Sequence, residues 1–368
     1  MAKQQRIDPR IIERNRAKAA AARSTGKPVS NTAPAKASPP KAAPPKAANA
    51  KGKTVAPSKP RGKSGRPGGR PLVETRPATL GTWLAGARIP TLLLAIAPVA
   101  LGTGIASEFT DHWYDHWVRA LLALAVALAM QIGVNYANDY SDGVRGTDKD
   151  RVGPQRLVGS GRAKPRTVLT VALVFFALAA IAGAALIVLS QQWWLFAGGV
   201  VALAAAWFYT GGKRPYGYYA LGEVVAFLFF GVAAVAGTMF TQVGTVNADG
   251  WFGGAALGAF AAAVLLVNNL RDRERDRTHG KRTLAVLLGR VGSRVLYVVL
   301  MVAPFAILVP FVLLYDNAFY VYFAAVAAIP AIIIVIWGKT PPEFMLALRL
   351  TLITAFAFGV GLALAIAF

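Results

Sequence analysis

Two segments concentrate the residues able to do chemistry. The first runs from Asn135 as NYANDYSDGVRGTDKDRVGPQRLVGSG. Within it Asn138 and Asp142 are four apart and share one face if a helix continues through them. Gly143 and Gly146 then let the chain turn back, bringing Asp148 toward the same point. The second runs from Asn268 as NNLRDRERDRTHGKRTLAVLLG. Here Asn268, Asp272 and Asp276 repeat every four residues and form one helical stripe. Arg271, Arg273, Arg275 and Arg277 flank it. Clustered carboxylates repel one another and are costly to desolvate, and a divalent cation removes that cost. Mg²⁺ takes oxygen ligands and is commonly shared between one or two carboxylates and substrate phosphates. Basic residues of the same segments, Arg145, Arg156 and Lys281, can contact the remaining phosphate oxygens. Two such clusters on opposing helices could hold a diphosphate between them, Asn138, Asp142 and Asp148 on one metal ion and Asn268, Asp272 and Asp276 on another. The plain alternative is two charged loops with helix-end acids paired to arginines. Recurrence of Asn-x-x-x-Asp in both segments favours the chemical reading.

The elements that must position these residues are set by a bilayer. The chain has 368 residues, 55% hydrophobic and only 15% charged. Apolar runs near 20 residues recur from about residue 86 onward, the length that crosses a membrane. Nine spans are expected, roughly 86–106, 117–137, 167–189, 193–210, 219–241, 251–270, 292–314, 318–337 and 345–367. They should be helices, because backbone in hydrocarbon must satisfy its own hydrogen bonds. A β-barrel needs alternating polarity, which runs such as FFALAAIAGAALIVL lack. Cysteine is absent, which excludes disulfides and thiolate chemistry, and the three histidines are His112, His116 and His279. A metal site must therefore rely mainly on oxygen, which favours a hard cation.

Loop charge sets the orientation. Segments 138–166 and 271–291 each carry seven Lys/Arg, and 211–218 and 338–344 carry more. The alternate loops, 107–116, 190–192, 242–250 and 315–317, carry only acids. The positive-inside rule puts the N-terminus and both aspartate segments in the cytoplasm and the C-terminus outside. Residues 1–80 hold 19 Lys/Arg against three acids, are rich in Pro, Ala and Gly, and lack apolar periodicity. They are expected to form a disordered basic cytoplasmic tail, residues 81–368 being the membrane domain. The tail is no signal peptide, since no apolar core follows its early charges. It suits anionic lipid headgroups, and no aromatic or folded reader of nucleic acid accompanies it. Trp83, Trp113, Trp117, Trp193, Trp194, Trp251 and Trp337 fall near span ends as an interfacial belt would. DHWYDHW, with His112 and His116 four apart, could bind zinc. Its place on the outer face favours anchoring through Trp113 and Trp117.

The two aspartate segments closely resemble those of the UbiA superfamily of intramembrane aromatic prenyltransferases, over roughly residues 80–368. The resemblance implies an all-α membrane fold of nine helices around a cavity capped on the cytoplasmic side. The superfamily's first motif is usually Asn-x-x-x-Asp-x-x-x-Asp. Here position 146 is Gly, and the next acid, Asp148, lies two residues late. That shift, with NDYSDGVRGTD, RVGPQRLV and GKRTLAVLLG, resembles the branch acting on naphthoquinone precursors. A third segment, YTGGKRPYGYYALGE, carries a Tyr-x-x-x-Lys pattern in Tyr209 and Lys213. Arg88 lies where the family commonly has an arginine on its first helix. By resemblance, Asp142, Asp272, Lys213 and Tyr209 serve catalysis. Arg88 pairs with the acceptor's carboxylate, or is simply an arginine snorkelling at a span end. The implied reaction is Mg²⁺-dependent transfer of a polyprenyl group from its diphosphate to 1,4-dihydroxy-2-naphthoate, with loss of CO₂ and diphosphate, in menaquinone biosynthesis. Lys213 and the metals neutralise the departing diphosphate, and Tyr209 stabilises the allylic cation. Other superfamily acceptors are 4-hydroxybenzoate, haem precursors and phosphoribose. A transporter is the alternative from another class. Glu223, Arg119 and Arg349 lie within a turn or two of span ends, which favours interfacial chemistry over passage.

Overall fold

The computed structural model describes residues 77–112, 115–146 and 156–368. Of the tail assigned to 1–80, residues 1–76 lie outside them, as do Trp113 and Asp148. The described residues are mainly helical, with no strand among them. Eight helical segments among them are long and apolar enough to cross a bilayer, and a shorter ninth accompanies them.

The first span is broken. Thr79 caps α1 (Leu80–Ala87), its hydroxyl accepting from the Thr82 N–H. The helix ends at Arg88, which adopts a left-handed conformation (φ 55°). Pro90 restricts the residue before it, and a short 3₁₀ turn (Ile89–Leu92) leads into α2 (Leu93–Ala106). The span therefore starts six residues earlier than the expected 86. Hydrophobicity alone does not register the break.

α3 (Trp117–Arg145) runs 29 residues, well past the expected end of its span at 137. It stops at Gly146, whose φ of 72° lets its N–H reach the Asp142 and Gly143 carbonyls. Of the two glycines, Gly146 is the one that ends the helix. Gly143 is helical, and its role is close packing, since a Cβ there would lie 2.4 Å from Val158 Cγ1. α4 (Pro165–Ser190) packs along α3 and starts on a proline, whose missing N–H is no loss in the first turn. α5 (Leu195–Phe208) has 14 residues, about 21 Å, and falls short of a full crossing.

α6 (Gly222–Phe227) passes through a π-turn (Leu228–Val232) into α7 (Ala233–Val243). α8 (Ala248–Thr278) is the most buried span. α9 (Leu284–Leu314) is interrupted at Gly289, close to the expected span start at 292. A 3₁₀ segment (Asp316–Ala324) leads into α10 (Ala325–Trp337), and α11 (Pro341–Ala367) opens with a Thr340–Glu343 capping box. The core lies around α8, where Phe260, Phe305 and Phe358 pack edge to face. Ile181, Val291, Leu313 and Leu314 are largely exposed, a surface suited to lipid and unsuited to water. Trp117, Trp193, Trp194, Trp251 and Trp337 are exposed near helix ends as an interfacial belt requires. Trp83 instead packs on Tyr136, with ring centroids 5.8 Å apart.

Candidate active site

The site is built where the ends of α3, α5 and α8 meet. The extension of α3 keeps Asn138 and Asp142 on one face, and both are about 95% buried. Gln131 and Asn135 continue that stripe into the bilayer, at helical spacings of four, seven and eleven counted from Gln131 to Asp142. The stripe extends roughly 16 Å along the axis. Asn135 donates to the Ala87 carbonyl at 2.9 Å and Gln131 to Thr91 Oγ1 at 3.0 Å. Both bonds close on the break in the first span, so this polar line also sets where Arg88 sits. Arg88 is half-buried, and its carbonyl accepts from Thr91 Oγ1 at 2.8 Å.

Asp142 is the hub. Tyr218 donates to its Oδ1 at 2.7 Å. Lys281 Nζ lies 3.6 Å from the same oxygen, and Arg156 Nη2 lies 3.8 Å from Oδ2. Lys281 also sits over the Tyr218 ring, 4.3 Å from its centroid. The loop after α8 is pinned here by backbone, Arg282 N–H donating to the Tyr218 carbonyl at 2.8 Å. Asn138 Oδ1 accepts from Thr210 Oγ1 at 2.6 Å. Arg145 donates to the carbonyls of Thr210 and Gly212 and so fastens α3 to the loop after α5.

The second stripe forms as its spacing predicts. Arg271 donates to both oxygens of Asp272, at 2.8 and 2.6 Å, and to Asn268 Oδ1 at 2.9 Å. Asp276 is buried, and its carbonyl accepts from the Lys281 N–H at 2.9 Å. The tight turn at Gly280 (φ 73°) thus aims Lys281 across to Asp142.

Tyr209 is wedged between glycines. A Cβ at Gly217 would lie 2.7 Å from its ring, and one at Gly222 would lie 3.4 Å from it. Tyr216 packs against Tyr209 at 5.6 Å between centroids, and burial pushes the Tyr216 phenol up to about 12. Lys213 is exposed in the turn after α5.

Sequence reasoning passed over Asp139, Tyr218 and Thr210. Asp139 is fully buried and accepts from the Leu157 and Val158 N–H groups at 2.8 and 3.1 Å. It clamps the loop that presents Arg156. The aspartate beside Asn138 was visible in the sequence, but its backbone partners were not.

Among the described residues no three His, Asp or Glu side chains converge as a protein-only metal cage. The available donors are carboxylate and amide oxygens, one set per motif, each now balanced by a cation. That set fits a hard cation shared with phosphate oxygens. At DHWYDHW, His112 lies 3.6 Å from Asp115 and no metal-holding cluster forms among the described residues.

The UbiA prenyltransferase family profile matches residues 95–344. The 1,4-dihydroxy-2-naphthoate octaprenyltransferase of Mycobacterium tuberculosis is 47% identical over 221 residues, 60% of this chain and 74% of that protein. The Escherichia coli protein of the same name is 36% identical over 61% and 73%. A UbiA homologue from Aeropyrum pernix shares the fold with a TM-score of 0.56 at 19% identity, over 72% of this chain and 96% of that one. One from Archaeoglobus fulgidus, bound to GPP and Mg²⁺, has a TM-score of 0.55 at 16% identity, over 76% and 99%.

Proposed function

Because this chain belongs to the UbiA prenyltransferase family, we propose that it transfers a polyprenyl group from polyprenyl diphosphate to 1,4-dihydroxy-2-naphthoate in menaquinone biosynthesis. CO₂ and diphosphate are released. The observation that carries this reading is Lys281 of the second aspartate segment resting on Asp142 of the first. Two aspartate segments far apart in sequence are thereby joined by an ion pair, which supports a site where a diphosphate flanked by divalent cations could bridge them.

Asn138, Asp142 and Asp148 would hold one Mg²⁺, and Asn268, Asp272 and Asp276 a second. When bound, these ions neutralise charge on the diphosphate as it leaves. The residues do the rest. Lys281, Arg156, Arg145 and Lys213 take phosphate oxygens. Arg271 hands Asp272 over and becomes free for the substrate. Tyr209, locked by its glycines, presents its ring to the allylic carbon. Arg88, at the strained break in the first span, receives the acceptor carboxylate. An apolar groove of about 470 Å³ between α2, α3 and α11 offers room for the far end of the chain.

Among the described residues, Arg145, Arg156 and Lys281 gather around Thr210 and Asp142, while the acids Glu108 and Asp249 meet on Tyr315. We therefore place the site on the cytoplasmic face of the cell membrane, with residues 1–80 as a basic arm on the same side and 81–368 as the transferase domain. Membership of a prenyltransferase family removes the transporter reading. The test uses membranes with Mg²⁺, a polyprenyl diphosphate and a panel of aromatic acceptors. Product is expected with dihydroxynaphthoate, and none after chelation or in Asp142→Ala or Asp272→Ala. Full activity in either variant refutes the roles assigned.

A further inference from the structure

Glu223 opens α6 and is only 4% exposed. Asn269 donates to its Oε1 at 2.9 Å, while Oε2 has no hydrogen-bond partner. A carboxylate oxygen buried without a partner is costly to desolvate. An ionisable group within a membrane span points to function. Its position is informative. A Cβ on the preceding Gly222 would lie 3.7 Å from the Tyr209 hydroxyl, so the start of α6 passes directly against that ring. Asn269 is the neighbour of Asn268 on α8. Glu223 thus follows the residue that packs on Tyr209 and is bonded to the residue next to Asn268. Tyr216 packs on the same Tyr209 ring, with 5.6 Å between centroids.

We propose that Glu223 is the proton acceptor for the hydroxyl of the aromatic substrate. This rests on the naphthoate reading above, whose chemistry requires such a group. The new carbon–carbon bond forms at the ring carbon bearing the carboxylate. As the allylic C–O bond breaks, its electron pair leaves with the diphosphate, and the ring supplies the pair for the new bond. The adjacent hydroxyl becomes a carbonyl by giving its proton to Glu223 Oε2. The result is a β-keto acid. It loses CO₂, the pair from the broken C–C bond returns to the ring, and the carbonyl oxygen takes the proton back from Glu223. No proton is gained or lost overall, and Glu223 ends as it began. The Asn269 amide fixes one carboxylate oxygen and leaves the other available for this loan.

Glu223→Gln keeps the shape and the acceptor for Asn269 but cannot take the proton. In detergent-solubilised enzyme kcat should fall about 100-fold or more, with KM for both substrates within about threefold of wild type. Glu223→Asp should recover part of the loss. In Glu223→Gly, added formate should restore activity in a saturable way that chloride does not. Wild-type kcat in Glu223→Gln overturns the proposal. So does a loss confined to KM and thermal stability with no response to formate, since that marks a structural group. If wild-type enzyme makes no product from dihydroxynaphthoate, the acceptor reading falls and this inference with it. A fully active Glu223→Gln removes the inference alone.

Discussion

Replacing Asp139 by Asn should weaken binding of the diphosphate substrate without touching any group that contacts it. Asp139 is fully buried and accepts two backbone N–H groups, from Leu157 at 2.8 Å and Val158 at 3.1 Å. Each bond ends on a carboxylate and is worth about 1.5–3 kcal/mol. Asn keeps one accepting oxygen and turns an NH₂ toward the second N–H, so one bond is lost. The loop it clamps carries Arg156, whose Nη2 lies 3.8 Å from Asp142. If loop closure must precede capture of the diphosphate, the lost energy passes into KM. At 1.4 kcal/mol per decade, KM for polyprenyl diphosphate rises roughly 10- to 100-fold. KM for the acceptor, and kcat at saturating diphosphate, should stay within about threefold. Initial rates at fixed Mg²⁺ and acceptor, with the diphosphate varied, measure this directly. A folded Asp139→Asn enzyme with wild-type KM would refute the clamp. Equal rises for both substrates would refute its selectivity for the diphosphate.

Lys281→Met retains the stem over Tyr218 but loses the charge beside Asp142. KM for the diphosphate should rise about tenfold, and its dependence on salt should flatten. Gly143→Leu drives a side chain into Val158, so thermal unfolding should shift down by the equivalent of about 1–3 kcal/mol, with Val158→Ala restoring part. Tyr216 donates to the Ala205 carbonyl at 2.8 Å, and burial raises its phenol from 10.0 to about 12. The unfolded chain releases that proton first, so the stability Tyr216 contributes is intact below pH 10 and is lost as pH rises toward 12. Tyr216→Phe should blunt the fall in melting temperature over that window, and an unchanged slope would count against it.

The membrane architecture was legible because lipid leaves the backbone little choice. Each run of apolar residues became a helix, and only α5 fell short of a crossing. Asn138 with Asp142, and Asn268 with Asp272, were legible for a related reason, since a spacing of four has one meaning on a helix. Gly143 shows the limit of that reasoning. Its composition suggested a turn, whereas its lack of a side chain serves the contact with Val158. Asp139 and Tyr218 were missed because their partners are distant in sequence, Leu157 and Val158 in a loop in one case and Asp142 on α3 in the other. Glu223 was noticed only as an acid near a span end. Its burial against Asn269 depends on how α6 meets α8, and no local pattern encodes that crossing.

The Lys281–Asp142 contact also bears on how the protein is made. A chain is synthesised from its N-terminus, and its earlier parts can settle first. When α1 to α3 have entered the bilayer, Asn138 and Asp142 are present without Lys281, Asp272 or Glu223. Those arrive only with α6, α8 and the loop that follows. On the roles proposed for these residues, a half-finished polypeptide carries one bank of the site and lacks the means to cleave a prenyl diphosphate wastefully. The reactive centre is completed late in biogenesis, when most of the bundle that shields a carbocation from water is already in place.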